Sequence, residues 1–479
     1  MALFKNFIGG EWVEGEGIIR NINPSDTTDL VGEYAAAGAA QTKAAIEAAA
    51  AAYPSWSMTT PQQRFDILDA AGSEILARKE ELGRLLAREE GKPLADGIGE
   101  ATRAGHIFKF FAGEAVRIEG TALASIRPGI DINVMREPMG VVGLITPWNF
   151  PIAIPAWKMA PALAFGNTVV LKPAELVPGS AYAIVEILSR AGLPKGVVNL
   201  VMGRGSIVGQ AMLDSPHVNA VSFTGSTGTG ARVAEACVKR GAKFQLEMGG
   251  KNPALVLDDA DLAVAVNACL NSAFFQTGQR CTASSRIIVT KGVHDAFVEQ
   301  MVAAMKTLKV DNALEPGCQV GPVVDARQLA QDEKYINIGR KEGAELIWGG
   351  ERLNRATDGF FLQPALFINT KNDMQINREE IFGPVASVIK VDSYEEGLAV
   401  ANDTAFGLSA GVYTSSLKHA AHFRRHSKAG MVMVNLPTAG VDYHVPFGGT
   451  KGSSYGAREQ GRQAVEFFTT TKTQYTFAG

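Results

Sequence analysis

From Val141 to Glu247 the chain repeats one pattern, in which a short apolar run is followed by a helix-length segment and then by another apolar run. The runs are VVGLI, TVVLK, GVVNLV, NAVSFT and FQLE. Runs so short and rich in β-branched residues, separated by segments too long for hairpins, predict a parallel, doubly wound sheet covered by helices. Such a sheet presents its ligand sites at the carboxyl ends of its strands. The residues just after each run are therefore where chemistry is expected.

What stands there is polar or glycine-rich. After VVGLIT comes Pro147-Trp148-Asn149-Phe150-Pro151, where two prolines fix the backbone around a single amide, a setting suited to an oxyanion donor. After TVVL come Lys172 and Glu175, three apart and able to share one ribose, although an exposed Lys/Glu pair is as often only a solvated one. After NAVSFT comes Gly225-Ser226-Thr227-Gly228-Thr229-Gly230, a turn entering a helix whose free N–H groups and dipole suit a pyrophosphate. Its spacing is not the usual G-x-G-x-x-G, to which GRGSIVG at 203–209 comes nearer. The 225 turn is preferred because its strand leads toward Glu247. That carboxylate closes FQLE and is followed by Met248-Gly249-Gly250, so it sits at a strand end beside flexible glycines, as a general base requires.

Four cysteines, at 237, 269, 281 and 318, form no CxxC pair. This disfavours disulfides and structural zinc, predicts no metal site and fits a reducing cytoplasm. Cys281 lies in FFQTGQRCTASSRIIV, between the amphipathic helix DLAVAVNACLNSAFFQ and the strand SSRIIV. A lone cysteine is ordinarily a small core residue. Here Thr277, Gly278, Gln279, Thr282 and Ser284 make the junction small and polar, and Glu247 supplies a candidate base, which together favour a nucleophile. Further on, EEIFGPV sets Glu380 and Phe382 beside a Gly-Pro turn, suited to a second ribose and a flat ring, though a structural turn would look the same.

The rest of the chain bounds the answer. Its 479 residues and 46% hydrophobic content allow about three domain-sized units. A net charge of −3 offers no basic field for nucleic acid or an anionic membrane. The most apolar stretch, 140–171, is broken by four prolines and Lys158, so no membrane span is expected. No secretory signal is read at the N-terminus. KNFIGGEWVEGEG predicts a hairpin, and 39–119 predicts helices, with Thr60 capping and Pro61 opening one scaffold helix through EELGRLL. SIRPGIDINVMREPMG predicts an arm with a Pro-Gly turn. A second alternation of strands and helices runs to about Asn435. The tail EFFTTTKTQYTF predicts a strand whose partner is expected in another subunit.

PWNFP, KPAE, FTGSTGTG, EMGGKNP, GQRCT, EEIFGP and PFGG, in that order and over essentially the whole chain, resemble the NAD(P)-dependent aldehyde dehydrogenase superfamily. The resemblance implies an α/β fold with a Rossmann-like cofactor domain (1–120 and 140–247), an α/β catalytic domain (248–440) and a small β oligomerisation arm (121–139 and 456–479). It implies a homodimer or homotetramer. Carried over residue by residue, it makes Cys281 the nucleophile, Glu247 the base and Asn149 an oxyanion donor. It places Ile145, Trp148, Lys172, Glu175, Gly225, Ser226, Gly230, Met248, Glu380 and Phe382 on the dinucleotide. Met248 departs from the usual leucine. Thr470 stands where some members carry an acidic residue, so proton transfer is expected to rest on Glu247.

NAD is expected over NADP, because Glu175 would accept from the ribose hydroxyls and repel a 2′-phosphate, while Lys172 leaves NADP possible. The finer likeness is to dehydrogenases of 2-oxoglutaric semialdehyde (2,5-dioxopentanoate), a small-molecule aldehyde bearing a carboxylate. Arg280 is then the leading cation for it, with Phe150, Trp157 and Phe447 as apolar wall and Thr282 and Thr438 as further donors. Succinic semialdehyde dehydrogenases typically carry an arginine where Trp157 stands, which disfavours that substrate; that and broad specificity remain the alternatives. A cofactor-free thiol hydrolase would need a histidine near Cys281, and none of the seven stands in a motif beside it. A catalytically silent relative would lack the nucleophile or base, and both are present.

Overall fold

The structure is a computed structural model in which residues 3–479 are described. The five apolar runs form adjacent parallel strands in the spatial order Lys243–Glu247, Val218–Thr224, Val141–Ile145, Thr168–Lys172, Val198–Leu200. The order reverses direction at Val141–Ile145, which makes its carboxyl end the switch point where a crevice opens. Two pieces from outside the repeat complete this sheet. The hairpin Asn6–Ile8/Glu11–Val13 turns through Gly9 and Gly10, both at positive φ, and adds to one edge. Ser454–Tyr455 pairs antiparallel with Lys243–Glu247 at the other.

A second sheet has the order Glu345–Trp348, Ala365–Ile368, Val385–Val391, Arg286–Thr290, Pro253–Val256, Ser409–Tyr413, Met431–Val434, parallel except for its first strand. Its central strands are wholly buried, which fits their largely apolar sequences, and the one buried charge among them, Arg286, donates to the carbonyls of Lys251, Val400 and Ala401 and to Asn372 Oδ1. The chain passes from the first sheet to the second between Glu247 and Pro253, so the glycines at 249 and 250 lie between the two layers.

Helices Ala39–Ser57, Pro61–Ala77, Lys79–Glu90 and Leu94–Ala115 fill the expected helical region. Thr60 caps Pro61–Ala77 by accepting from the Gln63 N–H, in a capping box with Pro61 at the first position. The single scaffold helix expected there is two, broken at Arg78, whose guanidinium gathers Glu74, Glu81 and Glu186. Among the described residues, no helix is long and apolar enough to cross a membrane.

Thr121–Ala124, Ile130–Pro138 and Thr469–Phe477 form a third sheet. The terminal strand was expected to pair with another subunit. Instead it pairs with Ile130–Pro138 of its own chain along its whole length, from Thr469 opposite Pro138 to Phe477 opposite Ile130. The alternation of both segments fits a shared ribbon, and pairing within one chain requires no second molecule.

Candidate active site

Cys281 follows helix Leu262–Phe274 and a tight turn at Phe275–Gly278, and precedes Arg286–Thr290. Gln276 and Thr277 hold φ of 54° and 59°, a region that side-chain-bearing residues seldom occupy. Such strain persists only where neighbours fix the backbone. Here Thr277 Oγ1 donates to Gly321 O at 3.0 Å, Asn149 Nδ2 donates to Gln279 O at 2.9 Å, and Val324 N donates to Gln279 Oε1 at 2.9 Å. Beyond the cysteine, Asn252 Nδ2 donates to the carbonyls of Cys281 and Ala283, each at 2.8 Å.

Two cavities meet at Cys281. One, of about 340 Å³, is lined by Trp148, Asn149, Gly225, Ser226, Met248, Gly249, Glu380 and Phe382 together with the cysteine. The other, of about 420 Å³, is lined by Phe150, Trp157, Arg280, Thr282 and Phe447, and also by Asp96, Glu100 and Arg103. The thiol is thus the shared wall of two spaces of different character.

In the first cavity, helix Thr227–Lys239 begins at Ser226, whose extended backbone forms the N-cap but whose side chain caps nothing. The first N–H groups of a helix have no intrahelical acceptor, so this end offers donors and positive potential to an anion. A Cβ on Gly228 would meet open space, whereas one on Gly230 would come within 2.4 Å of Met248 Sδ. Gly230 therefore packs the turn rather than lining the space. Glu380 is anchored by the Gly250 N–H at 2.8 Å, and burial pushes its carboxyl up to about 7. Phe382, at φ 63°, stands edge-on to Trp148 with ring centroids 5.4 Å apart. Ile145, Lys172 and Glu175 lie outside this lining. Ile145 is half-buried at its strand end, and Glu175 accepts from the Gly205 N–H at 3.1 Å, which brings GRGSIVG against the KPAE segment.

In the second cavity Trp157 and Phe447 stack with centroids 5.5 Å apart, and Lys92 Nζ lies 3.8 Å over the Phe150 ring. Lys92 also donates to Glu100 at 2.6 Å and to Asn149 O at 2.8 Å, so it holds the Trp148–Phe150 turn in place. Thr438 is a correction. It is fully buried behind the wall, donates to Thr282 O and bonds the Ser284 hydroxyl, each at 2.8 Å, and so offers nothing to the cavity. Arg280 lines the space, but its Nη2 donates to the carbonyls of Asn271 and Ser272 in the last turn of helix Leu262–Phe274.

Glu247 lines neither cavity. It is buried, one carboxyl oxygen accepts from Ser454 Oγ at 2.5 Å, and the other has no partner. Behind it Lys158 is ion-paired with Glu459 and donates to Ser222 Oγ at 2.7 Å, all of them buried. Burial first, then the charge of Glu459, holds the Glu247 carboxyl well above its ordinary range. A second buried carboxylate, Glu459, and the Lys158 ammonium therefore stand behind Glu247 and act on its charge, a cluster that the reading of the sequence did not include. Lys158 was open to discovery as the single charge in the otherwise apolar helix AIPAWKMAPALA. Glu459 carried no local signal.

This arrangement has relatives. The Aldehyde dehydrogenase family profile matches residues 12–474. The chain belongs to the aldehyde dehydrogenase family. This aldehyde dehydrogenase is 43% identical over 476 residues to an alpha-ketoglutaric semialdehyde dehydrogenase of Bacillus subtilis, covering 98% of each chain. It is 40% identical over 472 residues to a 2,5-dioxopentanoate dehydrogenase of Saccharolobus solfataricus, again with 98% of each covered. Among solved structures, betaine aldehyde dehydrogenase from Staphylococcus aureus in complex with NAD+ superposes with a TM-score of 0.97 at 33% identity, over 99% of this chain and 95% of that one.

Proposed function

We propose that this enzyme oxidises 2-oxoglutaric semialdehyde to 2-oxoglutarate with NAD, through a thioester on Cys281. The observation that carries the reading is the position of the thiol, between a cavity ending at an uncapped helix N-terminus and a cavity walled by aromatic rings and bearing cations. The names of the Bacillus and Saccharolobus relatives support the substrate, and the NAD+ complex of the Staphylococcus structure supports the cofactor.

The donors and shape of the first cavity fit a dinucleotide. Its pyrophosphate would lie at the Ser226 end of helix Thr227–Lys239, one ribose near Lys172 and Glu175, and the other at Glu380 beside Trp148 and Phe382. When bound, NAD supplies the hydride acceptor. The protein's own groups do the rest. Cys281 adds to the aldehyde carbon, and the Asn149 amide and the Cys281 N–H stabilise the oxyanion. Glu247 takes the proton of the thiol and later that of the water that cleaves the thioester. The free oxygen of Glu247, with Gly249 and Gly250 next to it, suits that exchange. Thr469–Phe477 and the hairpin it joins form the surface through which we propose that a homodimer or homotetramer assembles.

The test compares kcat/KM for 2,5-dioxopentanoate, succinic semialdehyde, benzaldehyde and pentanal, each with NAD and with NADP. The five-carbon acid with NAD is expected to lead. A lead for pentanal or benzaldehyde would overturn the substrate, and a clear preference for NADP would overturn the assignment of Glu175.

A further inference from the structure

We propose that Arg103 receives the distal carboxylate of the acidic aldehyde; this rests on reading the larger cavity at Cys281 as the aldehyde site. Arg103 projects from helix Leu94–Ala115 into that cavity, on the same wall as Trp157 and Phe447. Its guanidinium is held in place. Nη2 donates to Gln460 Oε1 at 2.9 Å, and Cζ lies 5.7 Å from the centroid of the Trp157 ring. Its Nε–H is buried and has no partner. Among the described residues no carboxylate oxygen lies within salt-bridge distance of it.

Glu100 and Asp442 lie near enough to favour the charge of Arg103, but neither is in contact with it. Glu100, one turn earlier on the helix, accepts from Lys92 at 2.6 Å with one oxygen and from the N–H groups of Ile152 and Ala153, each at 3.0 Å, with the other. Asp96 lies beside Arg280, and Asp442 is exposed. A desolvated, oriented cation with no carboxylate in contact is the condition in which an arriving carboxylate gains most, because a charge-assisted bond then replaces interactions only with more distant charges. A neutral aldehyde forms no such bond.

Arg280 in the same cavity also has a buried, unpartnered Nε–H, and differs in what its Nη2 binds. Its Nη2 caps the carbonyls of Asn271 and Ser272 at the end of helix Leu262–Phe274, and Asp96 lies near its charge. A cation at a helix carboxyl end satisfies orphan carbonyls. Arg280 is thus a positioning residue for the adjacent cysteine, and the carboxylate falls to Arg103.

The experiment measures kcat/KM for 2,5-dioxopentanoate and glutaric semialdehyde against that for pentanal, in the wild type, Arg103→Gln, Arg103→Lys and Arg280→Ala. Loss of a charge-assisted bond predicts that the acid-to-pentanal ratio falls about ten- to a hundredfold in Arg103→Gln, chiefly through KM of the acids. Arg103→Lys, which keeps the charge without the planar fork, falls between and provides the reading if the Gln variant does not fold. Arg280→Ala lowers kcat for all three aldehydes together and leaves the ratio within about threefold. A wild type that prefers the acids, with a ratio undiminished in both Arg103 variants or collapsing only in Arg280→Ala, overturns the proposal while the semialdehyde reading stands. A wild type that prefers pentanal overturns both.

Discussion

The thiol of Cys281 is pushed up to about 12, first by burial and then by the charges of Glu380 and Glu247. In the proposed reaction it becomes a nucleophile at neutral pH only while another group takes its proton, the role proposed for Glu247. Glu247 is itself raised, by burial and by Glu459, so it stays neutral and unable to accept until the pH passes well above the ordinary carboxylate range. The expected pH profile of kcat/KM thus has a limb that rises through the raised pKa of Glu247. Glu459→Gln removes the repelling charge and leaves Lys158 to attract, so the limb should move to lower pH. A limb that stays in place would show that the two carboxylates do not interact. This residue pair also shows what the sequence reveals and what it hides. Cys281, Glu247 and Asn149 stand in short segments whose neighbours announce them, whereas Lys158 and Glu459 are 301 positions apart and meet only because Glu459 lies on the segment carrying Ser454–Tyr455 to the sheet edge. Arg103 was hidden for a related reason. An arginine on a charged helix reads as solvated surface until the fold turns that face into the cavity.

At the scale of elements, the two parallel sheets were legible because their strands are buried on both faces and so are written as largely apolar runs. The break at Arg78 was not, since Arg is a good helix former and the apolar period continues through it. Nor was the conformation of the turn before the nucleophile, because Gln276 and Thr277 are not residues that favour positive φ. Gly278 completes that turn at φ 64°, and a Cβ on it would come within 2.4 Å of the Gly383 carbonyl oxygen. Gly278→Ala therefore faces a backbone conformation costing about 1–3 kcal/mol and a clash with main chain, and the segment from Gln279 to Cys281 must move to relieve it. The variant should remain folded with a lowered Tm and lose at least about tenfold in kcat/KM, since small displacements of a reacting atom are costly in rate. Thermal melting and steady-state kinetics check this. An alanine protein with wild-type rate would mean that the turn does not position the thiol.

The whole molecule presents one surface unlike the rest. In the three-stranded sheet, Leu123, Met135, Tyr475 and Phe477 are exposed apolar side chains, and Ile126 in the turn between its first two strands is entirely exposed. Thr469–Phe477 is an edge strand of nine residues, and among the described residues its outer side pairs with no other strand. A long unpaired edge with apolar neighbours is a surface that soluble chains normally cover. Because the terminal strand finds its first partner within its own chain, the hairpin and strand are already a formed sheet, and a second copy needs only to dock against it or extend it. The expected state is a homodimer or homotetramer built through this sheet. Phe477→Asp combined with Ile126→Asp places two charges on the exposed ribbon and its turn, at residues that line neither cavity at Cys281. Light scattering after size-exclusion chromatography should then report a smaller species than the wild type. A double variant with unchanged mass would assign assembly to another face, and a wild type with the mass of one 50.9 kDa chain would show that the ribbon is covered by no second copy at all.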